Sequence, residues 1–241
     1  LKVITSGSNN TALGIGTLQN ITTGEDNVAI GEYALQNAGA GELRNIAIGS
    51  LAMQNMDEGT SGNINYNIAV GRNALSGADL GTGSTDIMHN IAIGTDCLRL
   101  VSGDAQEGTI AIGRQALTAL TTGTNNTAIG FEALKTNVDS DFNTAIGYQA
   151  LSSHDRNGTA NNSAVGYKAG YAVTTSFDTT LLGSNAGVAL TTGNGNTAVG
   201  SNVMAGMTTG DFNTAVGVQA LNTEDVGRGT TAIGYQALFS Q

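Results

Sequence analysis

The sequence predicts an all-β parallel solenoid, on three observations: a short phrase that returns at near-constant spacing, a glycine that closes it, and no proline anywhere. The phrase is an Asn or Thr, a Thr or aliphatic residue, Ala, an aliphatic residue and Gly. It occurs 13 times in 241 residues, and seven of the twelve intervals between its glycines are 17 residues, the others being 18 to 23. Such a period is typical of stacked repeats, so we expect 13 coils of about 17 residues in a single repeat domain, 1–241.

Each copy is predicted to hold two short strands around its glycine. The best-formed copies, NTAIGFEAL at 126–134 and NTAIGYQAL at 143–151, place one strand before the glycine and a second up to the Ala and Leu. A glycine in every copy indicates a corner where φ is positive or a side chain would collide. Missing prolines fit a chain that needs its backbone donors for strand ladders.

Three columns of the repeat are predicted to be structural: amides, corner glycines and aliphatics. Side chains alternate along a strand, so the Asn, Ala and Gly columns share one face and the Thr and aliphatic columns share the other. Identical amides stacked one coil apart can form an asparagine ladder. The residues assigned these roles are Asn27, Asn45, Asn126 and Asn143, then Gly31, Gly130 and Gly147, and finally Ile129 and Ile146.

Both faces of the first strand are apolar at their centres, which predicts a partner. Ala fills its column in twelve copies, with Leu181 as the exception, and the aliphatic column has none. A strand that is apolar on both sides is normally covered on both sides. One face points into the chain's own interior, so the other is predicted to be covered by another copy of the same chain.

Departures from the 17-residue period fall between the second predicted strand and the next Asn, which places insertions on one side of the solenoid. The longest are residues 54–66 and 76–89. Loops that gather on one side are often a binding surface. The candidate ligand-binding residues are Asn63, Tyr66, Asp79, Asp86 and His89.

Two copies depart from the pattern in a way that suggests compensation. Gly170 and Gly187 replace the Leu that follows the second Ala, and these copies are expected to pack loosely or to bend the solenoid. Leu181 stands in place of Ala at the same end of the chain. This indicates an exchange, in which one larger residue accompanies smaller residues nearby.

The aligned phrase resembles the head repeats of YadA-type trimeric autotransporter adhesins, and the NTAIGYQAL form is similar to repeats in marine bacteriophage tail fibres. The resemblance covers about residues 10–238. It implies a left-handed β-roll, three chains around a fibre axis, and a role in attachment to a host or surface. The expected function is therefore that of a non-enzymatic, extracellular, structural and adhesive fibre segment that binds itself as a homotrimer and a cell-surface glycan or protein receptor. A non-binding shaft or spacer is the alternative.

Composition excludes other functions. A net charge of −10 opposes nucleic-acid binding. No apolar run approaches the roughly 20 residues of a membrane span, so no membrane insertion is expected. Cys97 stands in the second, mostly Ala column and is predicted to be a buried thiol.

No catalytic, metal or cofactor site is predicted. His89 and His154 are interpreted as solvated loop residues, and Asp139 and Asp141 lack the regular spacing of calcium-binding rolls. A polysaccharide-cleaving enzyme needs a facing pair of carboxylates about 5 to 9.5 Å apart, and no column supplies one. An ice-binding threonine array is a weaker alternative, because aliphatics interrupt the threonine column from Val28 to Ile110.

The aromatic residues after the glycine have two interpretations. They could stack on sugar rings or pack against a neighbouring chain, and the second is favoured. They are Phe131, Tyr148, Tyr167 and Tyr235.

Overall fold

The computed structural model describes residues 6–37, 41–56, 63–77, 86–99, 106–222 and 227–239. This part of the chain is all β-strand, turn and bend, with no helix. The predicted parallel β-solenoid is confirmed. The chain divides into two compact units, residues 1–125 and 126–241.

The first unit is built on one parallel sheet of short motif strands and a smaller parallel sheet. The motif strands pair in sequence order, and Ala always lies opposite Ala, as in the pairing of Ala29 with Ala47. They are β1 (Thr11–Leu13), β2 (Val28–Ile30), β3 (Ile46–Ile48), β5 (Ile68–Val70), β7 (Ile91–Ile93) and β9 (Ile110–Ile112). The smaller sheet contains β4 (Asn63–Asn65), β6 (Asp86–Met88) and β8 (Gln106–Glu107).

The second unit repeats the arrangement with seven motif strands. They are β10 (Thr127–Ile129), β12 (Thr144–Ile146), β14 (Ser163–Val165), β15 (Thr180–Leu182), β16 (Thr197–Val199), β17 (Thr214–Val216) and β18 (Thr231–Ile233). A two-stranded sheet is formed by β11 (Ser140–Asp141) and β13 (Gly158–Thr159). Thirteen motif strands thus carry the repeat in the described residues, and the solenoid has about 11 coils rather than the 13 expected from the sequence.

Alternation along the motif strands separates an interior face from an outward face. The central alanines from Ala29 to Ala215, and Leu181 among them, are at most 1 % exposed. The flanking Thr and aliphatic side chains are half-buried or exposed, and Leu182 reaches 46 %. The interior is a thin apolar layer, and the outward face carries the aliphatic column.

A ladder of asparagine amides holds successive coils together inside the solenoid. Asn45 Oδ1 accepts the backbone N–H of Asn67 at 3.0 Å, and Asn45 Nδ2 donates to the carbonyl of Ile64 at 2.6 Å. The same pair of bonds joins Asn126 to the N–H of Asn143 and to the carbonyl of Ser140. These side chains are buried. Each amide therefore satisfies buried backbone groups in two directions, along the stack and across the coil.

The glycine at the end of each motif strand allows the coils to approach closely. Gly31 has a φ of 129°, and a Cβ on it would lie 2.6 Å from the carbonyl carbon and oxygen of Gly49 in the next coil. Backbone lies where a side chain would be. Glycine is required here both by φ and by space.

The prediction of a second strand in each copy is wrong, because the segment that follows each motif glycine is a run of turns. Left-handed residues alternate within it: Tyr33 has a φ of 57° and Leu35 a φ of 49°. A left-handed conformation costs a non-glycine residue about 1–2 kcal/mol. Burial of the Leu35 side chain and the bond from its N–H to the Ala52 carbonyl, 2.9 Å, offset that cost.

A second ladder, present in some of the coils, lies just before the interior asparagine instead. In the first unit it is formed by β4, β6 and β8, and two of these strands close the long insertions that the sequence places at residues 54–66 and 76–89. Ile64 and Ile87 point inward from it and are buried. The insertions therefore return to the solenoid framework before the next motif begins.

The exchange of large for small residues around Leu181 is confirmed. Leu181 is buried in the alanine column. Its Cδ1 lies 2.7 Å from where a Cβ on Gly170 would stand, and its Cδ2 lies 2.8 Å from the corresponding position on Gly187. Leu181 thus occupies interior space beside both glycines, where most other coils place a leucine side chain.

Candidate functional site

A row of four side chains on the first unit forms the candidate site, here called the corner row. Asp26, Arg44, Tyr66 and His89 each stand immediately before the interior asparagine of their coil. All four adopt the left-handed conformation, with φ between 56° and 61°. Because the asparagine that follows is fixed inside the solenoid, this turn directs each preceding residue to the surface at the same corner.

Neighbours in the corner row contact one another from coil to coil. Arg44 Nη1 donates to the Tyr66 hydroxyl at 2.9 Å, and Arg44 Nε lies 3.5 Å from a carboxylate oxygen of Asp26. The Tyr66 and His89 rings stack with centroids 5.2 Å apart and planes 3° apart. His89 Nδ1 lies 3.6 Å from Glu107 Oε1. Together with Glu107, the corner row forms a continuous chain of carboxylate, guanidinium, phenol, imidazole and carboxylate groups.

The predicted ligand-binding residues that the structure describes lie together at this corner. Asn63 Nδ2 donates to Asp86 Oδ1 at 2.8 Å, and the two residues are register partners in β4 and β6. Tyr66 and His89 follow these strands in the same two coils. Asp79 lies outside the described residues. Adjacent coils therefore present two polar and two aromatic side chains on one surface.

The contacts limit how the corner row can bind. Arg44 lies 5.6 Å from the centroid of the Tyr66 ring, and His89, from the following coil, stacks on that ring. The faces of Tyr66 are engaged within the protein, which leaves its edge, with 43 % of the residue exposed. A partner at this corner would meet hydrogen-bonding groups and ring edges rather than a flat aromatic platform.

Sequence reasoning missed Asp26, Arg44 and Glu107 as members of this surface. Their positions relative to the motif were visible in the sequence, because Asp26 and Arg44 precede an interior asparagine just as Tyr66 and His89 do. The column varies in residue type, so repetition did not mark it. Alignment by position rather than by residue type would have found it.

The interpretation of His154 as a solvated loop residue is wrong. His154 is fully buried, and neither ring nitrogen has a hydrogen-bond partner among the described residues. It stands three residues after the buried Leu151, a place that Leu120, Val173 and Leu190 occupy in other coils. Burial, and secondarily the charge of Arg156, lowers the pKa of His154 to about 4.

We expect His154 to make the fold sensitive to acid. The ordinary pKa is 6.5 and the folded value about 4, so the unfolded chain takes up the proton first as the pH falls. The contribution of the neutral ring is complete above pH 6.5 and decreases toward pH 4 by about 3 kcal/mol. Urea denaturation at pH 7.5 and 4.5 should therefore show a larger loss of unfolding free energy in the wild type than in His154→Leu.

The exposed histidine supplies the control for that measurement. His89→Leu should keep the wild-type loss, since more than half of the His89 side chain is exposed. Equal acid losses in the wild type and in His154→Leu would contradict the assignment.

The remaining candidate groups are Asp139, Asp141 and Cys97. No cluster of three or more His, Cys, Asp or Glu with metal-binding geometry occurs in the described ranges, Asp139 and Asp141 included. Burial, then the charges of Asp155 and Asp141, raises the pKa of Asp139. Cys97 is buried as predicted, and burial raises the pKa of its thiol to about 12.

Three aromatic residues that follow the motif glycine form a stack on the second unit. The Phe131 and Tyr148 centroids are 5.2 Å apart, and the Tyr148 and Tyr167 centroids 5.4 Å, with planes within 12° of parallel. Tyr148 is thus covered on both faces by rings. The equivalent position in the coil after Tyr167 is Ser184, so the stack ends there.

No protein-family model matches the chain, and no curated protein matches it. Within the part of the chain that the structure describes, no helix has the length and apolarity needed to cross a bilayer.

Proposed function

We propose that the protein is a segment of an extracellular, non-enzymatic fibre that assembles as a homotrimer and attaches to a host cell or surface. The observation that carries the proposal is the outward face of the motif strands. It presents an aliphatic residue in every coil, from Leu13 to Ile233. Contiguous exposed apolar surface of this kind is typical of protein–protein contact.

The charge distribution favours another copy of the chain as the partner on this face. The chain carries a net charge of −10, so two copies repel each other where their charged surfaces meet. The outward positions of all thirteen motif strands hold only Thr, Ser and aliphatic residues. Copies can approach along this face without desolvating a charge, and burying it removes apolar area from water at roughly 25 cal/mol per Å².

The corner row supports the attachment role. Its residue types are not those of a repeated structural column, and its side chains are exposed on consecutive coils. In a trimer three copies of the row would act together, which raises avidity for a repeated surface ligand without any new contact. A spacer that binds nothing would share the trimeric face and differ only at this corner.

The assembly is tested by replacing one outward side chain with a charge. Leu182 is 46 % exposed in the single chain, so Leu182→Asp should leave each chain folded and convert the trimer to monomers. Light scattering or native mass spectrometry measures the change. Thr192→Asp, an exposed site ten residues further on, is the matched control and should keep the trimer mass.

A monomeric wild-type protein would contradict the trimer directly. The attachment role is tested separately, by glycan-array and cell binding of the trimer and of Tyr66→Ala. Binding that Tyr66→Ala weakens supports the corner row, and a folded trimer that binds no cell or glycan favours the spacer.

A further inference from the structure

We propose that Tyr167, Lys168 and Tyr171 on the second unit form a subsite for a saccharide residue that bears a carboxylate. The inference rests on the attachment function, and it names a ligand class and a place away from the corner row. Lys168 Nζ lies 5.6 Å from the centroid of Tyr167 and 5.2 Å from that of Tyr171. The three side chains come from one coil.

Lys168 differs in its partners from six other basic residues of the described part of the chain. Arg44, Arg72, Arg99, Lys135 and Arg228 each have a carboxylate oxygen within 4.0 Å. Arg156 donates to the carbonyls of Thr159 and Thr175. Among the residues that the structure describes, the Lys168 ammonium has two aromatic rings as neighbours and forms no ion pair.

An ammonium beside two rings is a site for an anion. The contact with a tyrosine ring contributes about 0.5–1 kcal/mol at an exposed site and uses none of the three N–H donors. A carboxylate would accept a charge-assisted hydrogen bond, which is stronger than a neutral one. The net negative charge of the chain does not prevent this contact, because exposed charges more than about 8 Å apart are largely screened at physiological salt.

The rings beside Lys168 favour a saccharide over a simple anion. Tyr167 is 49 % exposed and stacks on Tyr148 with one face only. Its other face looks toward the next coil, where the equivalent residue is the exposed Ser184. Lys168 Nζ lies over the Tyr167 ring, beside the face that Tyr148 leaves uncovered, so a pyranose ring can pack on the exposed part of that face while its carboxylate meets the ammonium. Side-chain amides of Asn185 and Asn202, linked at 3.1 Å, line the next two coils and supply further hydrogen-bonding groups.

The test is a titration of the full chain with 3′-sialyllactose and with lactose, which differ by the carboxylate-bearing sugar. Calorimetry or ligand-observed NMR gives the two affinities. We expect sialyllactose to bind at least about tenfold more tightly than lactose, the ratio that one charge-assisted hydrogen bond supplies. Lys168→Met should abolish the difference.

Two further variants separate the subsite from general effects. Lys135→Met removes an ammonium that already pairs with Glu132 at 2.7 Å, and it should leave the affinity for sialyllactose unchanged. Ser184→Tyr extends the aromatic stack by one ring and covers the exposed part of the Tyr167 face beside Lys168, so it should reduce binding without unfolding the chain.

The proposal is overturned if sialyllactose and lactose bind equally, if neither binds, or if Lys135→Met and Lys168→Met weaken binding to the same degree. None of these results touches the attachment function, which is judged on cells and arrays with Tyr66→Ala. Loss of cell binding in Tyr66→Ala with an unchanged sialyllactose titration would show that the two sites act separately.

Discussion

Gly31→Ala should prevent the first unit from folding to its native structure, with an expected loss of about 5 kcal/mol or more. Two causes act together. A φ of 129° is open to glycine and strained for alanine, and the added Cβ would stand 2.6 Å from the carbonyl group of Gly49. Relief of that contact would separate two coils and break the ladder bonds between them. Urea denaturation followed by circular dichroism measures the loss.

Gly234→Ala distinguishes the two causes. Its φ of 124° is close to that of Gly31, but a Cβ there would meet nothing within 4 Å. The variant should therefore lose only the backbone strain, about 1–3 kcal/mol. Similar losses in the two variants would show that coil-to-coil contact contributes nothing to the requirement for glycine.

Leu181→Ala should cost roughly 3–5 kcal/mol, because it opens a cavity that no neighbour can fill. Other coils place a leucine or a methionine where Gly170 and Gly187 stand, and Leu181 reaches toward both positions. Alanine at 181 restores the usual column but leaves all of that space empty. The free energy of unfolding in urea, measured at a fixed chain concentration, tests the expected loss.

A rescue variant identifies the mechanism. Gly170→Leu alone should also destabilise, since its side chain would collide with Leu181 Cδ1. Combined with Leu181→Ala it should recover much of the loss, because Leu151, at the equivalent position, shows that leucine adopts a φ of 48°, which is close to the 63° of Gly170. Additive losses in the double variant would refute the exchange.

The sequence was sufficient for the features that repeat in every coil. The motif strand, its in-register pairing and the compensation at Leu181 follow from columns whose residue types are nearly constant. Alternation along a strand also placed the alanines inside and the aliphatics outside. These features depend on short-range geometry that one copy of the motif already specifies.

Features that depend on backbone conformation, or on columns that vary in residue type, could not be predicted from the repeat in this way. Leu35 and its equivalents adopt a positive φ that leucine seldom shows, so alternation alone suggested a strand. His154 lies outside the predicted strands, in a column that Leu120, Val173 and Leu190 fill in other coils, and only the stacking of coils shows that this column is interior. Arg44 was missed because the column before the interior asparagine also varies in residue type, so only its position marks it.

The near-identity of the motif strands gives the chain a translational symmetry that folding has to break. Any strand of the second unit fits against any other, so a slip by one whole turn would keep most ladder bonds. The trio of Gly170, Leu181 and Gly187 has no counterpart elsewhere in that unit and loses its fit on slipping. In the first unit, insertions of unequal length also oppose a slip, because each insertion fits between only one pair of successive motif strands. These irregularities therefore fix which strand pairs with which in an otherwise uniform stack of coils.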